Sequence, residues 1–119
     1  MEKVNLAEAF DGFTGHREPR IAGELNGQEV KLAKIMGAFD WHHHENEDEL
    51  FLAVRGSFEM EFRDRSVTVN EGEFIIVPRK TEHRPVAREE AHILLFEPKG
   101  TLNTGNVETE RTVRSPETL

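Results

Sequence analysis

The chain has 119 residues, 36% of them hydrophobic and 32% charged, which suits one domain with a single modest core. Its net charge of −8 has the wrong sign for a phosphate-backbone partner, so nucleic acid is not expected as a ligand. With no Cys and no Tyr, the sequence excludes disulfides, thiolate ligands, a Cys nucleophile and a tyrosine acid, base or radical.

No apolar run approaches the length needed to span a bilayer, so no membrane partner is expected. Met1-Glu2-Lys3-Val4-Asn5 lacks the apolar segment of a secretory signal, and a cytoplasmic location is the default expectation. Residues 4–13 read as a short helix, with Asn5 as N-cap and Glu8 completing an Asn-x-x-Glu capping box. Leu6, Ala9, Phe10 and Phe13 make one apolar face, which is expected to lid the core.

Strands and turns follow. Ile21–Leu25 and Glu29–Met36 flank Asn26-Gly27, a strong hairpin signal. After Gly37, Ala38–His44 is expected as a strand that returns, through the polar turn Glu45–Asp48, into the apolar run Leu50–Val54. Arg55-Gly56 is a turn, and Phe58, Met60 and Phe62 alternate with Glu59 and Glu61 as a half-buried strand. Asp64-Arg65 is a turn, Val67–Val69 a strand and Asn70-Glu71-Gly72 a turn. Phe74–Val77 is a continuous apolar run, expected as a buried strand that stops at Pro78. Arg84–Ala87 and Ala91–Phe96 are expected as two strands around an Arg88-Glu89-Glu90 turn. Many short strands with frequent turn signals predict a sandwich or barrel over residues 20–97 within a single domain, 1–119. Residues 101–119 show no periodicity and are expected as a tail or arm, with an ordered start and a loose end.

The chemistry centres on His42-His43-His44-Glu45-Asn46-Glu47-Asp48-Glu49. Alternate residues of an extended segment face one side, so His42 and His44 converge while His43 points away. A hairpin through Glu45–Asp48 brings Glu49 beside them. Two nitrogens and an oxygen on one face suit a first-row transition metal. His83 follows the Pro78 turn, and in a two-sheet barrel it can add a third nitrogen.

Gly37, His42, His44, Glu49 and Gly56 resemble the first motif of the cupin superfamily. Gly72, Pro78 and His83 resemble its second, with Lys80 in place of a turn Gly and Ala87 in place of an Asn. The Gly37–His42 gap is one residue short of the pattern. The resemblance is strongest to small single-domain, mannose-6-phosphate-isomerase-like members. It implies an all-β fold: a double-stranded β-helix, or jelly-roll barrel, with a short N-terminal helix, an irregular C-terminal tail and a metal in its mouth. It further implies that His42, His44, Glu49 and His83 are the ligands of one divalent ion, with Fe, Mn, Ni, Co and Zn all compatible with that set.

The function expected from this resemblance is a metal-dependent enzyme of oxygenase, isomerase, lyase or decarboxylase type, acting on a small anionic or polyhydroxy molecule. The alternative is a metal-bound module that binds or senses a small ligand without turnover. Arg79 and Arg84 are candidates to hold a substrate anion, and Trp41 to wall the pocket. Glu47, Asp48, Glu82 and Glu97 are acid–base candidates near the mouth. His16 and His92 have no motif position. With Glu49, Phe51 and Ala53 facing in, Leu50, Leu52 and Val54 face out and must be covered by another strand, by the N-terminal helix or by a partner; the resemblance implies a homodimer through an outer sheet.

Overall fold

The computed structural model describes residues 2–119, and within them no helix is long and apolar enough to cross a membrane. The helix α1 spans Leu6–Asp11. It starts where predicted, with the Asn5 side chain accepting from the Glu8 amide at 3.0 Å, and ends at Gly12. Phe10 and Phe13 pack with Leu32, Val54 and Leu94. That cluster lies on the outer face of the sheet, so the helix covers an outer patch and does not lid the main core.

The strands are β1 (Arg20–Leu25), β2 (Gln28–Ala38), β3 (Glu49–Arg55), β4 (Phe58–Phe62), β5 (Ser66–Val69), β6 (Phe74–Val77), β7 (His83–Pro98) and β8 (Glu117–Thr118). Asn26 and Gly27, with φ of 51° and 75°, make the expected tight turn between β1 and β2. β7 is the hub. It pairs with β2 along its length, with β4 through His83–Val86, and with β3 through His92–Phe96. This makes an all-β jelly-roll barrel. Its main core, which includes Ala33, Ile35, Phe51, Ala53, Met60 and Ile93, comes from the inward alternate residues of several strands.

Four expectations need correction. The Arg88-Glu89-Glu90 turn is absent, because one strand runs through it. Ile35 pairs with Ala91 and Gly37 with Ala87, so two steps on β2 answer four on β7. The extra residues bulge outward and let β7 bend from one sheet to the other. Phe74–Val77 is not buried throughout: Phe74 and Ile76 are 60% and 56% exposed, because β6 has only one face on the core. Ala38–His44 does not form a hairpin with Leu50–Val54. β2 ends at Ala38, and β3 pairs with β6 and β7 instead. The end of the tail is not loose: β8 pairs in parallel with β1, and the Leu119 amide donates to the Ile21 carbonyl at 2.8 Å.

Candidate metal centre

Two loops meet to build the site. The His42 amide donates to the His83 carbonyl at 3.1 Å, and the His83 amide donates back to the His42 carbonyl at 2.9 Å. This residue-pair bridge brings His83 to the His42 loop. The Lys80 amide donates to the His44 carbonyl at 2.6 Å, and Lys80 holds φ at 67°, the left-handed conformation suited to a Gly, where the motif has its turn Gly. Glu49 opens β3 and points inward with Phe51 and Ala53.

His42, His44, Glu49 and His83 are all buried, and each offers a donor atom within 4.8 Å of the others. Nδ1 of His42 lies 2.8 Å from the Asp40 carbonyl oxygen, and Nδ1 of His83 lies 2.8 Å from that of Thr81. A carbonyl only accepts, so each Nδ1 carries the proton and each Nε2 keeps its lone pair. Nε2 of His83, both ring nitrogens of His44 and Oε1 of Glu49 are buried without a hydrogen-bond partner. The His44 Nε2 to Glu49 Oε1 separation is 2.7 Å, and that from His83 Nε2 to the same oxygen is 3.4 Å. Donors bound at ~2.0–2.2 Å to one ion at right angles stand ~3 Å apart. Orphaned lone pairs at such spacing are costly to bury alone, and a cation among them satisfies them together. The donor set therefore fits a divalent metal.

The electrostatics agree. Burial, then the neighbouring His83, lowers the His42 pKa to about 4, keeping the ring neutral. Burial raises the Glu49 carboxyl, but contacts with Glu97, His44 and His83 outweigh it and hold Glu49 ionised, well below the usual carboxylate range. Glu97 lies beside it and is pushed the other way, by burial and then by the charge of Glu49. Lys31 offsets this only in part, donating to Glu97 Oε1 at 2.9 Å and to the Thr101 carbonyl at 3.1 Å.

A cavity of about 50 Å³ adjoins the donors. His42, Glu49 and Glu97 line it together with apolar residues that include Phe39, Phe51, Ile35 and Leu95, and with Arg17 and Asn103. Trp41, Arg79 and Arg84 are not among its lining residues. Arg79 pairs with Asp48 at 3.1 Å on the surface. The guanidinium groups of Arg63 and Arg84 lie over the Trp41 ring, at 3.9 and 4.9 Å from its centre, and Arg84 donates to Glu61 at 2.7 Å.

Of the acid–base candidates, Glu97 lies inside the cavity. Asp48 and Glu82 are engaged outside it, Glu82 accepting from Arg63. Glu47 stands 3.8 Å from Nδ1 of His44. His43 turns away as expected, its two nitrogens 2.9 Å from Glu82 and 2.6 Å from Glu45. His16 faces Glu90, and His92 stacks on Phe10.

Sequence reasoning missed Lys31, Arg17 and the contact of the expected tail or arm with the metal loop. Lys31 carries a signal, since it shares the inward period-2 face of β2 with Ala33 and Ile35. The tail reaches the site at Asn106, whose amide donates to the His43 carbonyl at 2.9 Å and whose side chain accepts from the His43 amide at 2.8 Å.

Fold and site together define a jelly-roll barrel with a buried cluster of three imidazoles and one carboxylate, suited to a metal, at one end of its core. The chain belongs to the cupin family: residues 26–97 match the cupin domain model. It is similar to a cupin-2 domain containing protein from Shewanella frigidimarina, with 38% identity and a TM-score of 0.80 over 81% of this chain and 94% of that one. Protein NMB1881 from Neisseria meningitidis is 30% identical with a TM-score of 0.76, over 82% of this chain and all (100%) of that one. Protein YdbB of Bacillus subtilis is 37% identical over 62 residues, 51% of this chain and 55% of that protein, so the match spans about half the length of this relative.

Proposed function

We propose that His42, His44, Glu49 and His83 hold one divalent transition ion, and that the protein is a metal-dependent cupin enzyme acting on a small molecule in the adjoining cavity. The observation that carries this reading is the set of buried, unpartnered donor atoms beside a cavity that His42 and Glu49 themselves line. Bound there, the ion would supply Lewis-acid chemistry or, if iron, oxygen activation. The chain's own part is to fix the imidazole lone pairs through Asp40 and Thr81, to exclude water with Phe39, Phe51 and Leu95, and to place the buried Glu97 carboxyl where a proton can be held. That polar group in the cavity supports turnover over a purely binding or sensing role, which needs only an apolar pocket.

Elemental analysis of protein purified without metal-affinity steps tests the ligand set. Near-stoichiometric metal is expected in the natural chain, with loss in both His42→Ala and His83→Ala. Equal retention in the variants overturns the assignment.

The protein is further proposed to work as a homodimer. Ile76 pairs with Leu50, and Phe74 with Leu52, which puts four apolar side chains together on one outer face. α1 covers Val54 but leaves this patch open. Sedimentation of the natural chain should give a dimer and that of Phe74→Glu/Ile76→Lys a monomer; a natural chain that sediments as a monomer contradicts this.

A further inference from the structure

We infer that Arg17 is the anion-holding residue of this cavity, and that the ligand is a small carboxylic acid whose apolar carbons lie between Arg17 and the metal donors. The inference rests on the reading that the cavity is the substrate site. Arg17 lines the same cavity as His42 and Glu49. Among the described residues it forms no ion pair, and the adjacent carboxylate, Glu18, faces Arg20 at 3.4 Å. Its guanidinium donates to the Met36 carbonyl. A guanidinium has five N–H donors, so most of its capacity is unspent.

The other polar residues of the cavity have partners of their own, except at one oxygen of Glu97. The Asn103 amide donates to the Arg111 carbonyl at 2.7 Å, and its oxygen accepts from the Val113 amide at 2.8 Å. Glu97 Oε1 is held by Lys31 while its Oε2 is buried without a hydrogen-bond partner, and Glu49 belongs to the donor cluster. Arg17 is therefore the half-buried cation of this cavity that has no carboxylate partner among the described residues. An unpaired guanidinium against apolar walls favours a bidentate carboxylate over water.

Two backbone features keep it there. Arg17 holds φ at 63°, a strained conformation for a residue with a Cβ, and its amide donates to the Lys34 carbonyl at 2.7 Å. Across from it lies Gly37, whose φ of 79° favours glycine and whose missing Cβ leaves room for Arg17 Nη2. Size narrows the ligand. The cavity, at about 50 Å³, is suited to a small ligand. A phosphate dianion would bring two charges into a space that already holds the Glu49 and Glu97 carboxyls.

The test is calorimetric binding of propionate, propionamide and inorganic phosphate to the metal-loaded natural chain, to Arg17→Asn and to Arg17→Lys. Asn tolerates the left-handed backbone, so this variant removes charge without new strain. Loss of a charge-assisted hydrogen bond of ~1.5–3 kcal/mol predicts at least tenfold weaker propionate binding in Arg17→Asn, with partial retention in Arg17→Lys. Propionamide should bind the natural chain at least tenfold more weakly than propionate, and metal content should be unchanged in both variants.

Equal propionate affinity in the natural chain and Arg17→Asn, or no propionate binding at all, overturns the assignment. Tighter binding of phosphate than of propionate overturns the ligand class. The same titrations on chelated protein separate the two readings. Arg17-dependent propionate binding there leaves Arg17 standing, and the metal reading then stands or falls on the elemental analysis alone.

Discussion

Lys31 Nζ lies 2.9 Å from Glu97 Oε1, with both side chains only 2% exposed, directly behind the donor cluster. Glu29 stands on the same ammonium at 3.8 Å, so one buried cation answers two carboxylates while Glu97 also faces Glu49. Breaking a buried pair leaves the other member uncompensated, which costs on the order of 3 kcal/mol. Lys31→Met is therefore expected to lower the unfolding free energy from denaturant melts by that amount, and Lys31→Met/Glu97→Leu to recover part of it, Glu29 still lacking its cation. A single variant as stable as the natural chain would show that Lys31 does not hold Glu97.

Gly105 sits against the metal loop. A Cβ there would overlap the His43 carbonyl oxygen and approach His42 Cδ2 to 3.0 Å, at a φ of 55°. Gly27 has a similar φ of 75° with nothing within 4 Å, so it isolates the backbone cost of an added methyl group. Both Gly→Ala variants should lose about 1–3 kcal/mol of stability from strain. Gly105→Ala should lose more, and it alone should release metal faster to a chelator, because the displaced His43 carbonyl is flanked by two ligands. Equal metal release in the two variants would remove the tail from the site.

In the metal-free chain, stability should depend on pH through His42. Its folded pKa of about 4 lies below the ordinary 6.5, so between these values the unfolded chain binds a proton that the folded chain refuses. This contribution is present above pH 6.5 and is lost as pH falls toward 4. Glu97 has the opposite sign, its raised folded pKa removing stability as pH rises above the ordinary 4.5. Comparing melting temperatures of the natural chain and His42→Gln from pH 7 to 4 cancels the Glu97 contribution. The natural chain should fall more steeply, and parallel curves would contradict a buried neutral His42.

Much of the barrel is legible in short stretches. The Asn26-Gly27 turn, the alternation of Phe58 with Met60, and the inward set Glu49, Phe51 and Ala53 follow from period and turn chemistry, which act over a few residues. The spacing of His42, His44, Glu49 and His83 marks the donors that the fold brings together. The errors share one cause. The β7 bulge, the exposed face of β6 and the missing hairpin at His44 each depend on which strand lies alongside, and local pattern carries no record of partners.

The amino-acid order alone determined which residue types are available for a metal and on which alternate positions they stand. Folding in three dimensions decided the rest: that His42 and His83 meet across a bridge, that Lys31 answers Glu97 at 66 residues' separation, and that Arg17 and Gly105 reach the site from outside the matched region. Propensity is a property of neighbours in the chain, whereas these contacts form only when burial of the common core draws remote segments into one small volume.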